Sequence, residues 1–302
     1  MHIDIFGNLH HKQSSIQYPV SVTPPPIVTF TPCFDTITTD NAKPFKLKGG
    51  LPLGGTYSGP GVTPATNIFT PSAAGLGSKT ITYSYTSAGL CSKTSNCKLL
   101  ILHSSLFICG TTLTDPRDNT VYPTSQIGTQ CWFAANLNFG TEIPSTQHQL
   151  DNCIPERYRN PASLPASFVG SQASSTQYPA SVYQWDELMK YDETPGNQGL
   201  CPPGWHVPTE SDWTILFNSY TSNAFAGYPL THSGFSGFIA LLSGVQHMNE
   251  TWDFNSFATF FWSSDKDGTT RAWSHGMNSE DPSVSLYSAS RANGFSVRCL
   301  KD

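Results

Sequence analysis

The sequence predicts a two-domain chain, an all-β sandwich followed by an α+β domain. Three observations carry this. The length of 302 residues exceeds that of one ordinary domain and fits two. From Cys33 to about His103, short stretches alternate apolar and polar residues between glycine pairs, as strands joined by tight turns do. From Leu106 onward the composition shifts, with six of the seven tryptophans beyond residue 180 and two helix signals. These changes set a tail or linker over 1–32, a β-domain over 33–104 and a second domain over 105–302.

Residues 1–32 lack hydrophobic periodicity and contain Thr23-Pro-Pro-Pro26, whose prolines favour an extended connector. The clearest strand that follows is Thr80-Ile-Thr-Tyr-Ser-Tyr85. Alternation puts Ile81, Tyr83 and Tyr85 on one face and Thr and Ser on the other. Gly49-Gly50, Gly54-Gly55, Gly59-Pro-Gly61 and Gly75-Leu-Gly77 are spaced as turns of a compact sandwich. Phe45–Gly50, Gly54–Val62 and Gly75–Tyr85 together resemble the immunoglobulin-like repeats of large bacterial surface proteins. That resemblance implies an immunoglobulin-like sandwich serving as spacer or stalk. Cys91 and Cys97 bracket Ser-Lys-Thr-Ser-Asn, which reads as a loop short enough for a disulfide across the last two strands.

In the second domain, a helix over Val182–Tyr191 would place Val182, Trp185, Leu188 and Met189 on one face. A second helix is marked more strongly. Thr209 is a capping residue with Asp212 three positions on, and Trp213, Leu216, Phe217 and Tyr220 follow at helical spacing. After Tyr220 only short strands and loops are expected. Five landmarks run in order: Asp118–Leu137, Val182–Met189, Cys201-Pro-Pro-Gly-Trp-His-Val-Pro-Thr209, Phe261-Trp-Ser-Ser264 and Asn293-Gly-Phe-Ser-Val-Arg-Cys299. They resemble the Fibrobacter succinogenes major paralogous domain, a branch of the C-type-lectin-like superfold, and imply that fold for 105–302.

With that resemblance, a Cys201–Cys299 disulfide is expected to tie the terminal strand to the core. A crosslink closing so long a loop is worth at most about 4–5 kcal/mol by chain entropy. Cys109–Cys131 would join the ends of a hairpin turning at Asp118-Asn119. Relatives usually carry cysteines near Tyr158 and before the first helix, where this chain has Arg159 and Ser181. Cys153 is therefore expected to be unpaired, inside an insertion over about 140–180 rich in Ser, Pro and Gln.

Charged residues make up only 12% of the chain and the net charge is −5, with no cluster of Lys or Arg. Such a surface has no electrostatic footprint for nucleic acid. The longest apolar run, within Lys98–His103, is strand-sized, so no membrane span is expected. Met1–Tyr18 is polar and does not read as a secretory signal. The eight cysteines lack C-x-x-C spacing, which favours disulfides over zinc. The Glu-Pro-Asn, Gln-Pro-Asp and Trp-Asn-Asp tripeptides with which sugar-binding relatives of the superfold hold calcium do not occur, and no other metal or cofactor motif is recognisable. Val207–Trp213 also resembles the helix start of formylglycine-generating enzymes. That oxidase chemistry needs two reduced cysteines, whereas Cys201 and Cys299 are expected to be bridged.

The remaining feature is Ser263–Arg298, a polar stretch between the apolar anchors Phe260-Phe-Trp262 and Phe295, Val297 and Cys299. Asp265, Lys266, Asp267, Arg271, Trp273, His275, Met277, Asn278, Tyr287, Ser290, Arg291 and Asn293 are the predicted ligand-binding residues. Rigid aromatics with short polar neighbours suit recognition. The expected protein is a non-catalytic extracellular binding or adhesion module, at a cell or virion surface, with a glycan or protein partner. A structural surface or virion component contacting neighbouring subunits is the alternative. Relatives with this ending include proteins whose last segment is diversified by retroelements, which implies the same possibility for Ser263–Arg298.

Overall fold

The computed structural model describes residues 25–31, 36–88, 90–160, 181–231, 236–255 and 257–302. The chain is β-rich with few helices. Its N-terminal region is built on a four-stranded sheet of β1 (Ile37–Thr39), β2 (Thr56–Ser58), β3 (Gly77–Thr86) and β4 (Ser92–Leu102), in the order β1-β4-β3-β2. Strands β3 and β4 form a long antiparallel hairpin, from Gly77 opposite Ile101 to Thr86 opposite Ser92. Strand β1 lies parallel to β4. Alternation along β3 buries Ile81 and Tyr83 as the sequence predicts, with Tyr85 partly covered. They pack with Phe30, Tyr57, Phe69, Leu99 and Ile101 in one hydrophobic cluster. Gly50 lies so close to the Tyr83 ring that a Cβ there would fall 2.5 Å from it.

Two expectations need correction here. Thr29–Phe30, inside the presumed tail, pairs with Gly50–Leu51 and sends Phe30 into the core. Residues 1–24 lie outside the described residues. Cys91 and Cys97 are free thiols. The reversal falls between Thr86 and Ser92, so the segment between the two cysteines is extended strand instead of loop. Six residues of strand hold them about 20 Å apart.

The C-terminal region begins with the meander β5 (Thr112–Thr114), β6 (Val121–Ile127) and β7 (Gln130–Phe133). The first turn contains Asp118-Asn119, with Asn119 at φ 63°, a conformation Asn tolerates better than most residues. Strand β7 pairs with Leu300–Lys301, which pairs in turn with Trp205–His206, completing a five-stranded sheet. Disulfides Cys109–Cys131 and Cys201–Cys299 are both present. The second ties the terminal strand to the segment entering the main helix. Cys153, expected to be unpaired, is disulfide-bonded. Within the insertion, Glu156–Arg159 pairs with Thr141–Glu142 on one side and Ser181–Val182 on the other. Residues 161–180 lie outside the described residues.

The first predicted helix is shorter than expected. Val182 belongs to a strand and the helix α1 covers only Trp185–Leu188, because Lys190 and Tyr191 both take left-handed backbone conformations. All four residues of the predicted face are nevertheless buried. Helix α2 (Glu210–Asn218) starts at Thr209 with the expected capping box. Its Thr209 Oγ1 accepts from Asp212 N–H at 3.2 Å, and Asp212 Oδ2 accepts from Thr209 N–H at 2.9 Å. A further helix, α3 (Asn223–Thr231), occupies a segment expected to be loop or strand, and Pro229 inside it is the reason the sequence pattern hides it. Among the described residues no helix is long and apolar enough to cross a membrane.

Strands β8 (Ala258–Asp267), β9 (Arg271–Asn278) and β10 (Ser285–Ser290) form an antiparallel sheet in that order. Two of them are longer than the short strands expected after Tyr220. Consecutive residues of β8 serve two cores: Trp262 joins Trp185, Trp205 and Phe295, while Phe261 joins Trp132, Trp213 and Phe238. Arg298 is buried between these layers. Its guanidinium donates to Asn136 Oδ1 at 2.8 Å and to the carbonyls of Phe133, Phe238 and Ile239 at 3.0, 2.5 and 2.8 Å. Burial lowers its pKa to about 9. Lys43 reaches from the N-terminal region to Asp302 at 3.0 Å, and Lys48 to the Lys190 carbonyl at 2.8 Å.

Candidate functional site

Register decides what the β8–β10 sheet can present. Residues opposite one another point to the same face, so Phe261, His275 and Leu286 share one face while Phe260, Gly276 and Ser285 share the other. The first face packs on α2, where His275 lies 5.0 Å from the rings of both Trp213 and Phe217. The second face is partly open. Phe260 is its centre, with Phe295 stacked at 5.2 Å, Tyr287 edge-on at 5.6 Å and Phe254 at 5.9 Å. Gly276 makes this possible, since a Cβ there would lie 2.6 Å from the Tyr287 ring and 3.0 Å from Phe260.

A short hairpin pairing Val245–Gln246 with Trp252–Asp253 walls the open side. It carries His247 and Met248 over the sheet, and Phe254 and Phe257 follow. The hairpin is tied down where Asn293 Oδ1 accepts the Met248 N–H at 3.1 Å and Gln246 exchanges backbone bonds with Gly294. The open cavity so formed has a volume of about 560 Å³, within the roughly 300–1,000 Å³ of small-ligand sites. Met248, Phe254, Phe257 and Tyr287 line it while remaining 58%, 41%, 40% and 46% exposed. Apolar side chains gathered around one concavity mark a contact surface more than isolated exposed ones do.

Six of the twelve predicted residues border this cavity: Arg271, Met277, Asn278, Tyr287, Ser290 and Asn293. Met277 is almost fully buried in the core beneath and contributes only to the floor. The other six do not border the cavity. Asp265 accepts the Glu210 N–H at 2.8 Å at the start of α2, where a carboxylate complements the helix dipole. His275 is buried and pairs with Glu210 at 3.1 Å. Arg291 lies 4.3 Å over the Trp185 ring and pairs with Asp186 and Glu193, which fastens the end of β10 to α1. Lys266 meets Glu193 at 2.7 Å, and these two cations hold the Glu193 carboxyl below its usual range. Asp267 accepts from the Ser288 hydroxyl at 2.5 Å. Trp273 is partly buried on the face opposite Tyr287. None of these six borders the cavity, and five of them are engaged in bonds within the frame.

The sequence reading missed His247, Met248, Phe254, Phe257, Ser285 and Ser288. A signal for two of them was available, because Phe254 and Phe257 stand in a polar loop with no alternation to bury them. Its lining contains no Asp or Glu, and Arg271, which borders it, lies opposite Asp267 in the β8–β9 ladder. The Arg271 Nε donates to Ser288 Oγ at 2.7 Å and its Nη2 donates to the Ser288 carbonyl, and the same hydroxyl donates to Asp267, so Ser288 bridges the two charges.

The family model of the Fibrobacter succinogenes major domain matches residues 126–301, more than half of the chain and all of the cavity. No curated protein and no solved structure matches the chain.

Proposed function

The chain belongs to the Fibrobacter succinogenes major domain family, and from that premise we propose a non-catalytic, extracellular binding module whose ligand seat is the cavity on β8–β10. The observation that carries this reading is the set of exposed apolar side chains, Met248, Phe254, Phe257 and Tyr287, converging on one concavity with a polar rim. Aromatic and Met side chains are enriched at the centres of known interfaces, and tyrosine is among the residues that carry most of their binding energy. The frame beneath is fastened at two points: the Arg291 ion pairs join the end of β10 to α1, and the Arg298 guanidinium lies 5.6 Å over the Phe261 ring of β8.

Disulfides support an oxidising, extracellular setting, since they persist there and are rare in reducing compartments. The bridging of Cys201 with Cys299 speaks against an oxidase that would need both as thiols. In the same reading the N-terminal region is an immunoglobulin-like spacer. Its support is the hairpin sheet with its own core, which contains no residue beyond Ile101. The C-terminal region is read as a C-type-lectin-like domain, supported by its terminal strand paired back beside β7 and by the Cys201–Cys299 link.

Binding screens of the intact chain against glycan arrays and displayed cell-surface proteins test the proposal. A ligand whose capture is lost in Tyr287→Ala and Phe257→Ala, but kept in Lys266→Ala, is the expected result. Capture that is indifferent to the cavity variants would refute it.

A further inference from the structure

Independently of the cavity's role, we infer that the N-terminal region is more than a spacer: it clamps the turn that follows α1 through Lys48 and Lys43, so that the two regions unfold as one unit. The donors found by successive main-chain carbonyls lead there. Those of Trp185, Asp186, Glu187 and Leu188 accept from the amides of Met189, Tyr191, Lys190 and Leu200, and that of Met189 accepts from Asp192. The next two belong to Lys190 and Tyr191, in left-handed conformation at φ 53° and 56°. Both accept from Lys48, whose Nζ lies 2.8 and 3.4 Å from them.

A lysine near a helix end can serve the last carbonyls of its own helix. This one comes from the other region, 142 residues before Lys190. Its Nζ also lies 5.3 Å from the Tyr191 ring centre and 3.5 Å from the Asp151 carboxylate. Lys43, on the other side of the short strand Phe45–Lys46, makes a second attachment. It donates to the Gly196 carbonyl at 2.9 Å and pairs with Asp302 at 3.0 Å, the carboxylate that also meets His206 Nδ1 at 2.7 Å.

The clamped turn leads onward to the terminal sheet. The Gly196 N–H donates to Ser264 Oγ of β8 at 2.9 Å, and Glu193 pairs with Lys266 of β8 and with Arg291, just past β10, each at 2.7 Å. One segment, 190–196, is therefore held by the N-terminal region on one side and by the β8–β10 sheet on the other. Domains joined only by a linker move and unfold independently, whereas bonds that complete one region's main chain with the other's side chains couple them.

The test is urea unfolding and hydrogen exchange of the isotope-labelled full chain, with disulfides intact. All seven tryptophans lie in the C-terminal region, so their fluorescence follows that region alone, while the amide signals of Ile81 and Tyr83 follow the other. The unaltered chain is expected to give one midpoint by both probes. Lys48→Met should speed exchange at the Lys190, Tyr191 and Asp192 amides about tenfold, the low end for loss of a charged donor. Lys48→Arg should stay near the unaltered rate. Lys46→Met is the control, since Lys46 is exposed and makes no bond to the C-terminal region among the described residues, and it should leave exchange there unchanged. Adding Lys43→Met to Lys48→Met should separate the two midpoints. Exchange in the turn that is indifferent to Lys48→Met, or midpoints that stay together in the double variant, would overturn the clamp. Should Lys48→Met fail to fold, the unaltered chain still decides, because two separate midpoints there would overturn it as well.

Discussion

Glu187 sits on α1 with no solvent exposure, its Oε1 accepting the Glu156 N–H at 2.9 Å. Burial pushes its pKa from 4.5 up to about 8, against the smaller opposing pull of hydrogen bonds from Glu156 and Tyr191. The folded chain therefore keeps this proton at neutral pH while the unfolded chain loses it. Below pH 4.5 both states are protonated and the residue costs nothing. As pH rises from 4.5 through about 8, the unfolded state ionises first and stability is lost, at up to about 1.4 kcal/mol per pH unit. At pH 7 this amounts to about 3 kcal/mol. Glu187→Gln keeps the acceptor for Glu156 and removes the titration. Urea unfolding at pH 4, 5.5 and 7, with disulfides intact, should give near-equal stabilities at pH 4 and a variant about 3 kcal/mol more stable at pH 7. A difference that does not change with pH would refute the reasoning, because it would mean that Glu187 has the same charge in both states.

Three further outcomes follow from the frame and the cavity. Arg298→Met strands four acceptors in the interior, and urea unfolding should show a loss of about 3–5 kcal/mol; a loss below 1 kcal/mol would show that those acceptors find other partners. Asp212 is pushed up by burial but held down at about 2 by the stronger combined bonds of His206 and Thr209. Its contribution is present above pH 3.8 and lost as pH falls through 2, so Asp212→Asn should cost about 2 kcal/mol at pH 6 and little at pH 2. Gly276→Val should cost about 1–3 kcal/mol by urea unfolding, because its side chain would overlap the Tyr287 ring, and a variant as stable as the unaltered chain would show that the ring moves aside freely.

The fold was legible where a local rule and the tertiary environment agree. Thr209 and Asp212 form the box their spacing announces, and Ile81 and Tyr83 are buried on the side their alternation assigns. It was illegible where a long-range partner decides. Val182 satisfies a helical face as well as a strand, and only its pairing with Tyr158 chooses between them. The Cys91–Cys97 spacing is compatible with a hairpin loop, but the turn lies elsewhere, and turn position is set by register against β3. Arg298 shows no sign in the sequence of being an interior hub, because all its partners are main-chain carbonyls and one asparagine from distant segments.

The site was half legible for a related reason. Composition locates polar and aromatic residues between apolar anchors, but on a sheet every second residue faces away. Trp273 and Tyr287 are equally good recognition residues by type, yet the pairing of Ser274 with Tyr287 puts them on opposite faces. Polar residues near a sheet also have structural employment open to them: Asp265 starts a helix, and Arg291 and Lys266 share Glu193. The residues that complete the cavity come from the hairpin at Val245–Asp253 and from Phe254 and Phe257, outside the segment singled out by composition. The proposed recognition surface therefore combines one face of the terminal sheet with an earlier hairpin, and variation confined to Ser263–Arg298 would alter its floor and rim while leaving the aromatic wall of Phe254 and Phe257 unchanged.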